Sequence, residues 1–440
     1  MDKLIIYELN ELPQKLLKDY ISLKPKSTIA EIYTSGLLKI TETNDSGELH
    51  PWSTWPTFYR GVNNDTHNIR FINQDKLMAD TKYPNVWELL AKNGIKIGIF
   101  GSLQSHPPLI TENVDFYLPD TFAPDSRALP EILSTFQDFN LSIVVNNNAI
   151  SRGIRISDIL NFSKCIKENL ISPITLFKIF LHLSKEIILP KYKLRRSLMQ
   201  PVLGFDSYFY QLNKYKPSFS TFFTNHLAGM LHRYWYDLYP EDFENKPRKK
   251  SIFKKDSILE ALDIADIQIK KLLYFSKKYN YNLWIASSMG QGAINRGKYK
   301  KEIYLKNPNQ LIKKLKLNQK DYNFMPSMYP DINLECNNEE SLKIILREIN
   351  HLVDHKNNPL LKLRYRPTSF KVNLIIDNNC NLKQNNFLLF NNEKISLDEI
   401  GFESFERDIG TGYHIPEGIL LSYGNKSFNL LKKYSKIDTT

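Results

Sequence analysis

The 440-residue sequence has few cysteines, no tract typical of a flexible linker and no long uninterrupted apolar run. Its three cysteines lie far apart and lack a CxxC spacing, which fits a reducing compartment. Strand-like residues begin directly after Met1, which leaves no room for the basic and apolar regions of a secretory signal. From these absences we expect a cytoplasmic protein.

A membrane-spanning helix is not expected either. Charged residues interrupt the apolar segment within 161–199, whereas about 20 apolar residues in a row are needed to cross a bilayer. We predict instead a helical cap at 155–215 that packs over the sheet. The alternative is that this segment, with the basic stretch Lys191–Arg196, lies on an anionic membrane surface, which would make the protein peripheral at the inner membrane.

The composition indicates a packed core and a basic surface. With 42% hydrophobic and 12% aromatic residues, the chain can bury one large core, and we predict a single main domain over 1–440. The formal net charge is +12, but no nucleic-acid-binding motif accompanies the excess of lysine and arginine. The charge therefore favours an anionic phosphate- or sulfate-bearing substrate, or a membrane surface, over nucleic acid.

Strand-like segments alternate with helical segments, as in a parallel sheet covered by helices on both faces. We predict a three-layer α/β/α sandwich with a mostly parallel central sheet and a small α+β insertion at 300–400. Polar residues follow three of the strands, namely Asn10, His226 and Ser288. Because ligands bind beyond the carboxyl ends of parallel strands, these residues should converge on one site.

Motifs around these strand ends occur in a recognisable order. They are Asn10 after the first strand, Pro51-Trp52-Ser53-Thr54-Trp55-Pro56, Gly61, His67-Asn68-Ile69, Ala228 to Trp235, Ser287-Ser288-Met289-Gly290, and Gly412 to Gly418. In order and spacing the chain resembles the alkaline phosphatase superfamily, in particular its nucleotide pyrophosphatase/phosphodiesterase branch. The resemblance implies an alkaline phosphatase-like fold and a nucleophilic threonine at Thr54.

The resemblance also implies two metal positions, and the chain departs from both. The first would consist of Asn10, Thr54, Ser288 and Met289, and the second of Ala228, His232 and His414. The first has lost every charged ligand, and neutral oxygens with a thioether do not offset the dehydration of a dication. We therefore expect no metal cofactor. A single zinc at His232 and His414 is the alternative, and it would need a third ligand from His226, Glu8 or Glu11.

The resemblance implies a phosphoester- or sulfoester-directed hydrolase or transferase with a degraded metal centre, acting on surface-polysaccharide or lipid-linked substrates. Its catalytic residues would be Thr54, His232 and His414. Its substrate-binding residues would be Asn10, Glu11, His226, Arg233 and Ser288. Thr54 could instead be a turn hydroxyl, and each histidine a buried hydrogen-bonded residue. The alternative function is a pseudoenzyme that binds an anionic ligand or a partner protein.

Overall fold

The computed structural model describes residues 2–146, 156–167, 170–244, 249–294, 301–327, 331–377, 380, 387–406, 410–424 and 436–439. The chain forms two compact units. The first comprises Met1–Ile69, Met78–Gly297 and Ile409–Thr440, and the second Arg70–Leu77 and Lys298–Asp408.

The strands within the described ranges are numbered in chain order. They are β1 Lys3–Leu9, β2 Leu37–Glu42, β3 Ile97–Phe100, β4 Val114–Leu118, β5 Phe219–Thr224, β6 Tyr281–Ala286, β7 Gly290–Ala293, β8 Lys301–Leu305, β9 Tyr322–Met325, β10 Ile332–Cys336, β11 Leu352–Val353, β12 Leu361–Leu363, β13 Lys371–Ile376, β14 Phe387–Phe390, β15 Glu393–Ser396, β16 Phe402–Glu406, β17 Gly412–Ile415, β18 Glu417–Tyr423 and β19 Lys436–Asp438.

The helices are numbered in the same way. They are α1 Gln14–Leu23, α2 Thr28–Ser35, α3 Pro51–Arg60, α4 Asn64–His67, α5 Leu77–Lys82, α6 Val86–Lys92, α7 Ile132–Asn146, α8 Ile156–Lys167, α9 Pro173–Ile188, α10 Met199–Tyr215, α11 His226–Leu238, α12 Ile252–Tyr279, α13 Pro308–Lys314 and α14 Glu339–Glu348. Short 3₁₀ segments lie between them, the longest being Pro190–Leu198.

The first unit is built on an eight-stranded sheet of order β19-β2-β18-β6-β1-β5-β3-β4. The five strands from β6 to β4 run parallel, and β18 runs antiparallel to both of its neighbours. With β1 central and flanked by β5 and β6, the carboxyl ends of these three strands lie side by side. The residues that follow them are therefore neighbours, as predicted.

Both faces of this sheet are covered by helices. Along β1, Ile5, Tyr7 and Leu9 enter one large apolar cluster, whereas Ile6 enters a second cluster on the opposite face, because successive side chains of a strand alternate. The first cluster includes α11 and α12, and the second includes Trp55 of α3 and Trp87 of α6. The three-layer α/β/α arrangement predicted from the sequence is confirmed.

The segment predicted as a helical cap at 155–215 contains α8, α9, the 3₁₀ segment Pro190–Leu198 and α10. Helix α9 starts at the residue after Ser172, whose side chain accepts a hydrogen bond from the Thr175 amide and satisfies one donor of the first turn. No helix in the described part of the chain is long and apolar enough to cross a membrane.

The second unit is an α+β arrangement with its own core. Four antiparallel strands form a sheet of order β12-β13-β10-β9, a three-stranded sheet has the order β11-β14-β15, and β8 pairs with β16. Side chains from α13 and α14 complete its apolar cluster. Helix α14 ends at Glu348, and Leu352 and Val353 form the short strand β11.

Candidate metal and catalytic site

Glu11 follows β1 in an uncommon backbone conformation. Its φ is 62°, in the left-handed region that residues other than glycine rarely adopt. The side chain is only 1% exposed. A buried carboxylate on a strained backbone just beyond a central parallel strand is typical of a functional position.

Two imidazoles meet the Glu11 carboxylate. His232 of α11 brings Nε2 to 2.9 Å from Oε2, and His414 of β17 brings Nε2 to 3.5 Å from Oε1. The ring centroids of the two histidines are 5.0 Å apart. One donor atom from each of the three residues lies within 4.8 Å of the others. We call Glu11, His232 and His414 the charged triad.

The hydrogen bonds of His232 restrict its protonation state. Its Nδ1 lies 3.0 Å from the Gly412 carbonyl oxygen, which can only accept, so Nδ1 carries a proton. A neutral ring would then direct the Nε2 lone pair at the Glu11 carboxylate. His232 is therefore either an imidazolium paired with Glu11 or a metal ligand whose other nitrogen is held by a backbone carbonyl, as metal-bound histidines usually are.

Glu11 is oriented by two amide side chains. Asn10 donates from Nδ2 to Oε1 at 2.8 Å, and Gln291 donates to Oε2 and also to the Ala228 carbonyl oxygen at 3.1 Å. Burial by itself would raise the pKa of Glu11, but the charges and hydrogen bonds of His414 and His232 lower it well below its usual value. The carboxylate is therefore ionised at neutral pH.

His414 is positioned by the pairing of β17 with β7, in which it lies opposite Gln291. This strand pair packs closely on α11, since a Cβ at position 412 would lie 2.4 Å from the Leu231 carbonyl oxygen, and only glycine fits there. The ring of His414 is 7% exposed, and its Nδ1 is buried with no hydrogen-bond partner among the described residues. His232, at 31% exposed, is the open side of the triad.

Asn10, Thr54, Ser288 and Met289 form a second, neutral position, in which all four residues are fully buried. The hydroxyls of Thr54 and Ser288 are 2.8 Å apart and hydrogen-bonded to each other. Asn10 accepts from the Trp55 indole at 2.7 Å and donates to Asn225 at 2.7 Å as well as to Glu11. The side-chain amide of Asn10 thus has all of its hydrogen-bond partners within the protein.

Thr54 lies in the first turn of α3, where backbone amides without an intrahelical partner could bind an anion. Its amide and that of Ser53 both donate to the His50 carbonyl oxygen at 3.0 Å, so these two donors are already used. The structure brings Thr54 next to Ser288, as the motifs predicted. The catalytic role of Thr54 stays a prediction.

Two other predicted binding residues have different surroundings. His226 is buried, with Nδ1 2.6 Å from the Thr224 hydroxyl and Nε2 2.9 Å from the Ala261 carbonyl oxygen. Burial lowers its pKa to about 4, and neither ring nitrogen can reach a substrate without losing one of these bonds. Arg233, which follows His232, is half-buried. Their roles in binding also stay predictions.

Three residues near the triad were not singled out from the sequence. Gln291 orients Glu11, and Asn225 accepts from Asn10. His50, which precedes α3, stacks on Trp52 at 4.5 Å and contacts His414 edge-on at 5.7 Å between ring centroids. The signal for His50 was its position directly before the Pro51 motif, whereas nothing in the local sequence marks Gln291.

No family model and no curated protein matches the chain. Among solved structures it is similar to phosphonoacetate hydrolase from Sinorhizobium meliloti in complex with phosphonoacetate, with 10% identity, a TM-score of 0.42, and coverage of 96% of this chain and 89% of that one. It is also similar to murine ectonucleotide pyrophosphatase/phosphodiesterase 5 in complex with AMP, with 11% identity, a TM-score of 0.37, and coverage of 96% and 88%. The human counterpart gives 11% identity, a TM-score of 0.38 and the same coverage.

At such TM-scores the likeness indicates nothing about the chemistry of the site. The chemistry of the site is therefore inferred from the geometry of the chain's own residues.

Proposed function

We propose that the chain is a phosphoester- or sulfoester-directed hydrolase whose centre is one divalent metal ion, best matched by zinc, held by the charged triad. The observation that carries this proposal is the convergence of two imidazoles and one carboxylate within 4.8 Å. Two histidines and a glutamate are a common ligand set for catalytic zinc, which keeps a further coordination position for water or substrate.

The surroundings of the triad support a metal more than a simple ion pair. The Gly412 carbonyl fixes the orientation of the His232 ring, and Asn10 and Gln291 fix the carboxylate. Such outer hydrogen bonds are what hold metal ligands in place. The sequence left the third ligand of a single zinc open among His226, Glu8 and Glu11, and in this proposal Glu11 is that ligand.

The residues of the chain have separate tasks in this proposal. The half-exposed edge of His232 admits the ester, while Glu11 and His414 lie deeper and exclude water from one side. A bound divalent ion would polarise the ester oxygen and stabilise negative charge that develops on it. Thr54 is the candidate nucleophile, and its hydroxyl is hydrogen-bonded to that of Ser288.

The loss of charged ligands at the neutral position points to a restricted substrate range. A two-metal site stabilises both the attacking and the leaving oxygen, and one ion can do only part of this. We therefore infer that simple aryl phosphates turn over slowly. The substrate class that fits is an anionic ester on a large carrier, such as a polysaccharide or lipid-linked group, whose remote binding energy promotes the reaction.

The test combines metal analysis with an ester-hydrolysis screen of wild type and three variants. Glu11→Gln should lose both metal and activity, Thr54→Val should lose activity but keep the metal, and Thr54→Ser should keep both. Activity that survives in Thr54→Val would remove Thr54 as nucleophile. Metal-independent activity that survives in Glu11→Gln would reject the metal centre.

The closed pairing of Thr54 with Ser288 favours a second candidate, a pseudoenzyme that binds an anionic ligand at the triad. It differs from the hydrolase in one outcome. Ligand binding measured by calorimetry would persist in Thr54→Val, and no ester in the screen would turn over in wild type.

A further inference from the structure

Helix α9 has its polar side turned inward. The residues of α9 that are buried are Thr175, His182 and Glu186, whereas a helix on a globular protein normally buries an apolar stripe. Only partly buried side chains such as Leu176 and Ile179 pack against the main apolar cluster. Most of the apolar residues of α9 are therefore not buried on its inward side.

An ion-pair network holds this inward side in place. Arg196 donates from Nε to Oε1 of Glu186 at 3.0 Å and from a terminal nitrogen to Oε2, and His182 Nε2 lies 3.0 Å from the same Oε1. Glu186 is 4% exposed, and its charge is thus neutralised internally. The network orients α9 so that the opposite side of the helix faces outward.

The outward side is strongly apolar. Six side chains there are between 42% and 83% exposed, and we call them the outer face of α9: Ile174, Phe177, Phe180, Leu181, Ile187 and Ile188. Exposed apolar groups scattered singly are ordinary, but a contiguous set on one helix marks an interaction surface. Leu189 and Leu194 extend the exposed apolar surface into the following 3₁₀ segment.

The charges around the outer face have one sign. From Pro173 to Leu194 the sequence contains a single acidic residue, and it is the buried Glu186. The same stretch exposes four lysines, Lys178, Lys185, Lys191 and Lys193. Their long aliphatic stems can lie along an apolar phase while the ammonium groups reach the aqueous boundary.

These features distinguish between the surfaces that could cover the outer face. In a symmetric pair of copies, both partners would bring the same excess of positive charge to the interface, which opposes association. An anionic bilayer surface matches both properties, since it offers an apolar phase beneath a layer of negative charge. Interfacial helices combine an apolar face with flanking lysines in this way.

We propose that α9 docks the protein on an anionic phospholipid membrane, with its outer face inserted to the level of the acyl-chain boundary and its lysines at the headgroups. This inference does not depend on the proposed hydrolase activity. It takes up the membrane alternative from the sequence, which favoured a cap packed over the sheet. The helix does lie on the unit, but with its apolar side outward.

The experiment is flotation of the full chain with phosphatidylcholine vesicles, with and without phosphatidylglycerol. The wild type should bind only the anionic vesicles, and added salt should weaken the binding. Phe177→Ser/Phe180→Ser should weaken it by at least about tenfold, as should Lys178→Glu/Lys185→Glu. Both pairs are exposed, so unfolding temperatures should change little.

Matched controls lie on the same unit. Ile110 is 74% exposed and outside the face, so Ile110→Ser should not affect binding. Lys18→Glu/Lys26→Glu changes the net charge equally, and it should reduce binding much less than the α9 pair. Absence of binding to anionic vesicles, or equal loss in the control and α9 variants, would overturn the proposal. So would self-association that is abolished by Phe177→Ser/Phe180→Ser without any vesicle binding.

Discussion

The charged triad and the neutral position lie next to each other, joined by the hydrogen bond from Asn10 to Glu11. They differ in charge, in hydrogen-bond partners and in exposure to solvent. The triad holds an ionised carboxylate and an imidazole nitrogen with no partner among the described residues, and one of its rings is partly open to solvent. The neutral position holds two hydroxyls that are hydrogen-bonded to each other and the Asn10 amide, which is bonded to other buried side chains, and all of it is buried.

The difference shows how one half of a two-part site can become structural while the other stays chemically competent. A metal ligand needs charge or a free lone pair, and buried neutral groups that are already paired offer neither. The two positions therefore have to be judged separately, by the partners of each atom and not by shared motifs.

The largest fall in zinc affinity is expected for Glu11→Gln. It removes the only carboxylate of the triad, and zinc affinity should fall by more than about a hundredfold, since even outer-shell changes cost about ten- to a hundredfold. Titration with zinc measures the effect. The matched control is Glu8→Gln, which changes a buried carboxylate on β1, the strand that precedes Glu11. Glu8 contacts Tyr59 and Ser102, and the zinc affinity of this variant should equal that of wild type.

Asn10→Asp tests the boundary between the two positions. It replaces the donor that lies 2.8 Å from the Glu11 carboxylate with a second negative charge. The metal-free protein should lose about 3 to 5 kcal/mol of unfolding free energy, because a buried charge is left opposed. Zinc should restore more stability to this variant than to Asn10→Ala in urea denaturation. If zinc restored the same unfolding free energy to both variants, the position of Asn10 beside the Glu11 carboxylate would be contradicted.

The pKa values of Glu8 and Glu11 are shifted in opposite directions, upward for Glu8 and downward for Glu11. Burial raises the pKa of Glu8 from 4.5 to about 8, against hydrogen bonds from Ser102 and Tyr59 that lower it. Its neutral form is thus favoured in the folded state, and the stability it contributes is present below pH 4.5 and is lost as the pH rises through about 8. Wild type should lose about 2 to 4 kcal/mol relative to Glu8→Gln between pH 5 and 9. Parallel pH profiles of unfolding free energy would show that Glu8 is ionised in the fold.

Thr54→Val should have the smallest effect on unfolding free energy and on zinc affinity. The variant keeps the shape but leaves the Ser288 hydroxyl buried without its partner, which costs about 1 to 2 kcal/mol of unfolding free energy. Thr54→Ser, which keeps the hydroxyl, serves as the control, and zinc affinity should not change in either variant. A fall in zinc affinity in Thr54→Val would mean that the neutral position takes part in metal binding.

The sheet and its polar edge could be predicted because they depend on local patterns. Buried strands such as β1 and β6 are short apolar runs, and the residues after parallel strands must lie at one edge. The pairing of His232 with His414 followed from motif order. These features need no knowledge of side-chain contacts.

The third member of the triad could not be fixed in the same way. Glu11 was one of three candidate ligands, and its selection depends on a left-handed backbone that directs its side chain to the histidines. Gln291 depends on the pairing of β7 with β17, two strands far apart in the sequence. The orientation of α9 depends on the Glu186–Arg196 pair, whereas its amphipathic pattern alone is equally compatible with an inward apolar face.

X-ray absorption spectroscopy of the zinc-loaded protein is the sharpest test of the metal centre, because it reports the ligands of the ion without requiring a substrate. We expect a single class of zinc with two imidazoles and one carboxylate as ligands, which Glu11→Gln abolishes and Thr54→Val leaves unchanged. Zinc without imidazole ligands, or a second stoichiometric ion that disappears in Thr54→Val, would contradict it.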